Sequence, residues 1–109
     1  MERACDPAVV LEAPGDAFTE GDWHGHDGVV SFVANQMEVL EDMWLRLDEL
    51  VEHAPDRLIA AIPFGGRARY SALEVEMQPF HVFRLRDGKV LSWQIVLTRE
   101  QALAAAGRE

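Results

Sequence analysis

Asp87-Gly88 stands between two alternating stretches, Phe80–Arg86 and Lys89–Leu97, and no other feature limits the possible folds as strongly. A two-residue hairpin turn needs left-handed backbone at its centre, which Asp-Gly supplies. Successive strand residues point to opposite faces, so the alternation sorts these side chains into two sets. On the first strand His81, Phe83 and Leu85 share one face, and Val82, Arg84 and Arg86 share the other. The two arginines direct that second face toward solvent or a partner. On the second strand Leu91, Trp93, Ile95 and Leu97 form an apolar row, with Ser92 and Gln94 opposite. His81 thus faces an apolar wall. Such surroundings disfavour the charged imidazolium, so we expect a neutral ring able to donate or accept a proton. The competing reading is a core histidine with one satisfied hydrogen bond.

The flanking segments change period. From about His26 to Glu41, Val29, Phe32, Val33, Met37 and Leu40 recur at helical steps, which predicts a helix with one buried stripe. Asp27 falls in its first turn, at the positive end of the helix dipole. Asp6–Glu12 reads as a short strand, followed by a Pro/Gly/Asp loop. Leu45–His53 and Arg57–Phe64 read as strands about Pro55-Asp56, and Gly65-Gly66 as a hairpin turn leading into Arg67–Met77. Pro79, unable to donate a ladder hydrogen bond, marks a bulge or bend. Thr98 with Gln101 predicts a capping box opening a final short helix, which Gly107 can close. Helices on either side of an antiparallel run define the α+β class, and 109 residues without repeat or linker fit one domain, 1–109.

Charge narrows the partners. The net charge is −9, and the ten Lys and Arg are scattered, so the basic cluster that nucleic acid or an anionic membrane requires is missing. No apolar run approaches the roughly 18–20 residues of a membrane span. The N-terminal stretch has no signal-peptide core, and the lone Cys5 suits a reducing compartment, so we expect a cytoplasmic protein.

The segment from His81 through Asp87-Gly88-Lys89 to Trp93, continuing from Thr98 to Gly107, resembles the final hairpin and C-terminal helix of SnoaL-like proteins of the nuclear transport factor two superfamily. Asp6-Pro7-Ala8-Val9-Val10 and Gly25-His26-Asp27-Gly28-Val29 with Phe32 resemble that family's first strand and helix. The resemblance covers nearly the whole chain. It implies a cone: a strongly curved sheet whose mouth is closed by helices around an apolar pocket, commonly dimeric through the outer sheet face. Because only Met1 to Cys5 precede Asp6-Pro7, the N-terminal helical part is expected to be shortened, or the mouth to be covered by a partner subunit. A homodimer is expected on both grounds.

The superfamily includes ketosteroid isomerases, polyketide cyclases, epoxide hydrolases and dehydratases beside noncatalytic binding modules, so fold does not select function. The isomerase base, an aspartate before proline, corresponds to Ala13 before Pro14. The epoxide hydrolase aspartate two residues after the strand tryptophan corresponds to Ile95. The isomerases' protonated aspartate falls at or near His81, the one such position that keeps a proton-handling group.

Other constellations point elsewhere. His24 and His26 invite a metal reading, but nothing supplies further ligands at a defined spacing, and no metal is expected. Asp16 and Glu20, in the loop after the first strand, are candidates for a rim base. Glu74 and Glu76 read as a solvated pair, Cys5 as a bystander, and Met37, Met43 and Met77 as core filler. No phosphate loop or Ser-His-Asp signature occurs, and no cofactor is expected. Two functions follow. The first is a noncatalytic pocket for a small apolar molecule, with Trp23, Phe83, Trp93 and Ile95 around it. The alternative is a proton-transfer enzyme, an isomerase, cyclase or dehydratase, in which His81 is the acid/base and Asp16 or His24 assists.

Overall fold

The computed structural model describes residues 4–13 and 21–106. The elements run β1 (Cys5–Ala13), β2 (Gly21–His24), α1 (Gly25–Val39), β3 (Leu40–Leu45), β4 (Glu49–Ala54) and β5 (Arg57–Ala61). They continue with β6 (Phe64–Ala68), β7 (Glu74–Met77), β8 (Phe80–Arg86), β9 (Lys89–Val96) and α2 (Arg99–Ala105). Six strands form one sheet in the order β2-β1-β9-β8-β5-β4, and three form a second in the order β3-β6-β7. The class is α+β, as the period changes predict. No helix among the described residues is long and apolar enough to cross a membrane.

The β8–β9 hairpin is as expected. Asp87 and Gly88 both have positive φ, 53° and 77°, and Arg86 pairs with Lys89 across them. One detail differs: the register slips between Arg84 and Leu85, so Leu85 pairs with Val90 and Leu91 is the extra residue of a bulge. Val90 therefore takes the inward place expected of Leu91 and packs with Cys5, Val9 and Leu11. On the other side of β9, β1 lies parallel to it, with Leu11 opposite Trp93.

Several boundaries differ from the sequence expectation, each for a local reason. α1 ends at Val39, and Leu40 already pairs with Ala68. The helix buries only Val29, Phe32 and Gln36; Val33 and Met37 lie on the flank, 42% and 58% exposed, so Met37 is not core filler. The expected strand 45–53 is two strands of different sheets. The crossing at 46–48 is pinned by the Arg46 and Asp48 N–H groups, which donate to the Pro63 and Ala61 carbonyls. Gly65-Gly66 is not a turn but the middle of β6. A Cβ on Gly65 would stand 2.6 Å from the Val75 carbonyl oxygen and 2.7 Å from the Trp44 ring, and on Gly66 2.8 Å from the Glu41 carbonyl oxygen. Both glycines serve close approach rather than reversal. The chain reverses instead after Ala68, where Ala72 takes a positive φ of 60°. Pro79 sits between β7 and β8 as the chain changes sheets, and its carbonyl accepts the Ile62 N–H at 3.2 Å.

The face carrying Val82, Arg84 and Arg86 is not left to solvent. α2 covers it: Ala102 and Ala106 pack on Ile59 and Val82, all four at most 2% exposed. Arg86 remains exposed and pairs with Asp6 of β1 at 3.1 Å, while Arg84, with Arg57 of the neighbouring strand, reaches the end of the helix. Arg84 donates to the Ala105 carbonyl at 3.2 Å and Arg57 to the Ala106 carbonyl at 3.4 Å, filling acceptors that a helix C-terminus leaves open. The Thr98–Gln101 capping box closes the other end, while Gly107 lies outside the described residues.

Candidate ligand pocket

The opposite face of the sheet is hollow. A cavity of about 340 Å³ lies between that face, α1 and the second sheet. Phe32, Val33 and Gln36 of α1 form one wall, and His81, Phe83, Trp93 and Ile95 of β8 and β9 form the floor. Met43 and Leu45 of β3, with Ile62 and Phe64, form the far wall. The volume lies at the lower end of the range for small-molecule sites, roughly 300–1,000 Å³. Among the described residues, none that lines the cavity is acidic, lysine or arginine.

Strand pairing builds the floor. His81 lies opposite Ile95 and Phe83 opposite Trp93, so the hairpin alone brings these four side chains to one face. The three rings touch: Phe83 and Trp93 centroids are 5.2 Å apart, and His81 is 6.0 Å from Phe83 and 5.9 Å from Trp93. Within this cluster the Trp93 Nε1–H donates to His81 Nδ1 at 2.9 Å. Indole nitrogen can only donate, so Nδ1 must accept, and the neutral ring carries its proton on Nε2. Burial pushes the His81 pKa down to about 4, which keeps the ring neutral at physiological pH. His81 thus presents one hydrogen-bond donor, Nε2–H, and that atom has no partner among the described residues.

Gln36 is the polar group that the sequence reading passed over. It is 7% exposed, lines the cavity, and its carboxamide has no hydrogen-bond partner among the described residues. The signal was present: Gln36 stands four residues after Phe32 and seven after Val29, a polar residue on a buried stripe.

The remaining candidates lie elsewhere. Trp23 does not line the cavity; it pairs with Leu11 across the β1–β2 ladder and meets Phe32 edge-on at 5.8 Å. His24 is exposed on β2, outside the lining. His26 donates from Nε2 to the Cys5 carbonyl at 2.8 Å, tying the start of α1 to β1. Asp16 and Glu20 lie outside the described residues. Cys5, the first residue of β1, is buried in the core, its thiol pKa raised by burial, and Glu74 and Glu76 are exposed.

Comparison with known proteins accords with this geometry. The model of the SnoaL-like domain family matches residues 1–93, and the chain belongs to that family. An NTF2-like protein from Burkholderia thailandensis is similar in structure, with 23% identity over 96% of this chain and 80% of that one, at a TM-score of 0.75. A protein of ketosteroid isomerase-like fold from Catenulispora acidiphila, in complex with trimethylamine, shares 13% identity over 96% and 78% of the two chains, at a TM-score of 0.75. TerC, co-crystallised with polyporic acid, shares 21% identity over 95% and 81%, at a TM-score of 0.72. No protein of curated function matches the sequence.

Proposed function

We propose that this chain binds a small, uncharged, largely apolar molecule in the cavity floored by His81, Phe83, Trp93 and Ile95. The observation that carries this reading is the Trp93–His81 hydrogen bond. It fixes one imidazole nitrogen as an acceptor already in use and leaves the other as a donor beside an apolar wall. A neutral donor suits a ligand carbonyl or similar acceptor. It suits a charged ligand poorly, because among the described residues no opposite charge lines the site. Two similar structures hold small organic molecules, trimethylamine and polyporic acid, which supports a ligand role for this fold.

The proton-transfer alternative is less well served. An imidazole held neutral down to about pH 4, with Nδ1 occupied, is a weak base at neutral pH. In such chemistry His81 would polarise a carbonyl through Nε2–H, and the base would come from elsewhere, with Asp16 and Glu20 as the rim candidates. Native mass spectrometry of the purified protein tests the binding reading. An apolar molecule retained by the native protein and lost from His81→Phe supports it; a pocket that retains nothing and takes up no apolar probe overturns it.

We also propose a homodimer. Val33, Met37 and Leu45 leave apolar side chains 42%, 58% and 65% exposed around the cavity, and a second copy would cover them. Light scattering at micromolar concentration that reads a monomer overturns this.

A further inference from the structure

The cavity contains two polar groups without partners, on two different walls. Gln36 projects from α1 and is 7% exposed; His81 projects from β8, is 8% exposed, and has its Nε2–H unused among the described residues. Neither group is sealed inside packed protein; both open onto the cavity, where a hydrogen-bonding partner can reach them. Both groups line the cavity, so a molecule occupying it can satisfy them together.

The two groups ask for different chemistry. His81 offers a donor only, which a carbonyl oxygen on a ligand can accept. A carboxamide offers donor and acceptor side by side, and a hydroxyl is the group that both gives and takes a hydrogen bond in return. Size sets the frame between them. An apolar cavity of roughly 150 Å³ holds a single benzene ring, and this one, at about 340 Å³, has room for two fused rings.

We propose that Gln36 is the second polar anchor of the site and a specificity-determining residue. Its carboxamide grips a hydroxyl on one ring of an uncharged two-ring ligand whose carbonyl oxygen takes the His81 Nε2–H. This rests on the binding reading above and adds to it the class of ligand: a bicyclic hydroxyketone.

Three probes of nearly equal shape separate the two claims by isothermal titration calorimetry at neutral pH: tetralin, tetralone, and a hydroxytetralone with its hydroxyl on the ring remote from the carbonyl. Wild-type protein binds hydroxytetralone more tightly than tetralone, and tetralone more tightly than tetralin. Each step is about fivefold to tenfold, the worth of one net hydrogen bond. Gln36→Leu, and Gln36→Met as the unbranched variant should leucine not fold, lose the hydroxyl step, so that hydroxytetralone no longer binds more tightly than tetralone, while the step from tetralin to tetralone remains. His81→Phe loses the carbonyl step. If hydroxytetralone binds no better than tetralone, or if the Gln36 variants weaken all three probes alike, the role of Gln36 is overturned and the apolar pocket stands. If none of the three binds wild-type protein, both readings fall together.

Discussion

Val82 and His81 are neighbours on β8 and stand on opposite faces of one sheet, Val82 beneath the alanines of α2 and His81 on the floor of the cavity. On the α2 side the sheet meets Ala102 and Ala106, residues small enough for the short helix to sit directly on Ile59 and Val82. On the α1 side the neighbours are rings and long side chains: Phe32 and Gln36 from above, Phe83 and Trp93 from below. Large side chains hold the layers apart. Their bulk maintains the space rather than filling it, and two polar groups remain inside. The difference teaches that one face of these strands only packs, whereas the other both packs, through Val9, Leu11, Val29, Phe32 and Ile95, and leaves room for a ligand beside that cluster.

The largest test of that division is Ile59→Ala. Ile59 is fully buried on the filled face, so its truncation is expected to cost about 4 kcal/mol. Phe83→Ala, beside space that already exists and with its ring only half-buried, is expected to cost less than half as much despite removing more atoms. Urea unfolding of both proteins measures the ratio, and equal losses would erase the contrast.

The next effect is in pH. The folded His81 titrates near 4 against an ordinary 6.5, so between those values the unfolded chain binds more protons. This contribution to stability is fully present above pH 6.5, declines as the pH falls through the window, and levels off below about pH 4. The expected loss approaches about 3 kcal/mol. His81→Phe should flatten this part of the profile; a variant that keeps the full slope places its origin elsewhere.

Overpacking sharpens the comparison further. Ala102→Leu adds bulk where there is none to spare and is expected to cost about 2 kcal/mol. Ile62→Phe adds bulk facing the cavity and is expected to change stability by less than about 1 kcal/mol while abolishing ligand uptake. The smallest effect is a gain. Gln36→Leu removes an unpaired buried amide and should stabilise the ligand-free protein by about 1 kcal/mol in thermal or urea unfolding. A loss of that size would mean that Gln36 supports the fold rather than a ligand.

Half of the pocket was legible in the sequence because it is local. Alternation about Asp87-Gly88 put His81 and Phe83 on one face, and the same turn set Trp93 and Ile95 opposite them. The other half depends on distant segments. Met43, Ile62 and Phe64 reach the cavity because β3 and β6 form a separate sheet, and that sheet depends on glycines which, read locally, signal a turn. Arginine alternation suggested an open face, and both arginines are exposed at its margin; what alternation did not show is that Arg84 bonds the end of α2, which covers Val82 beside it. Leu91 changed places with Val90 because a bulge breaks the count of two, and no nearby residue announces it.

The parallel pairing of β1 with β9 sets the order in which the molecule can be assembled. Leu11 and Trp93 meet across most of the chain's length, a contact of long sequence separation that is slow to form. During synthesis β1 leaves the ribosome long before its partner, and its buried residues, Val9 and Leu11, must wait without cover. The floor of the cavity is completed by the same strand, so the indole that orients His81 is made only after β1, α1 and β8. The donor geometry of His81 and the pairing of β1 are thus completed by one and the same strand.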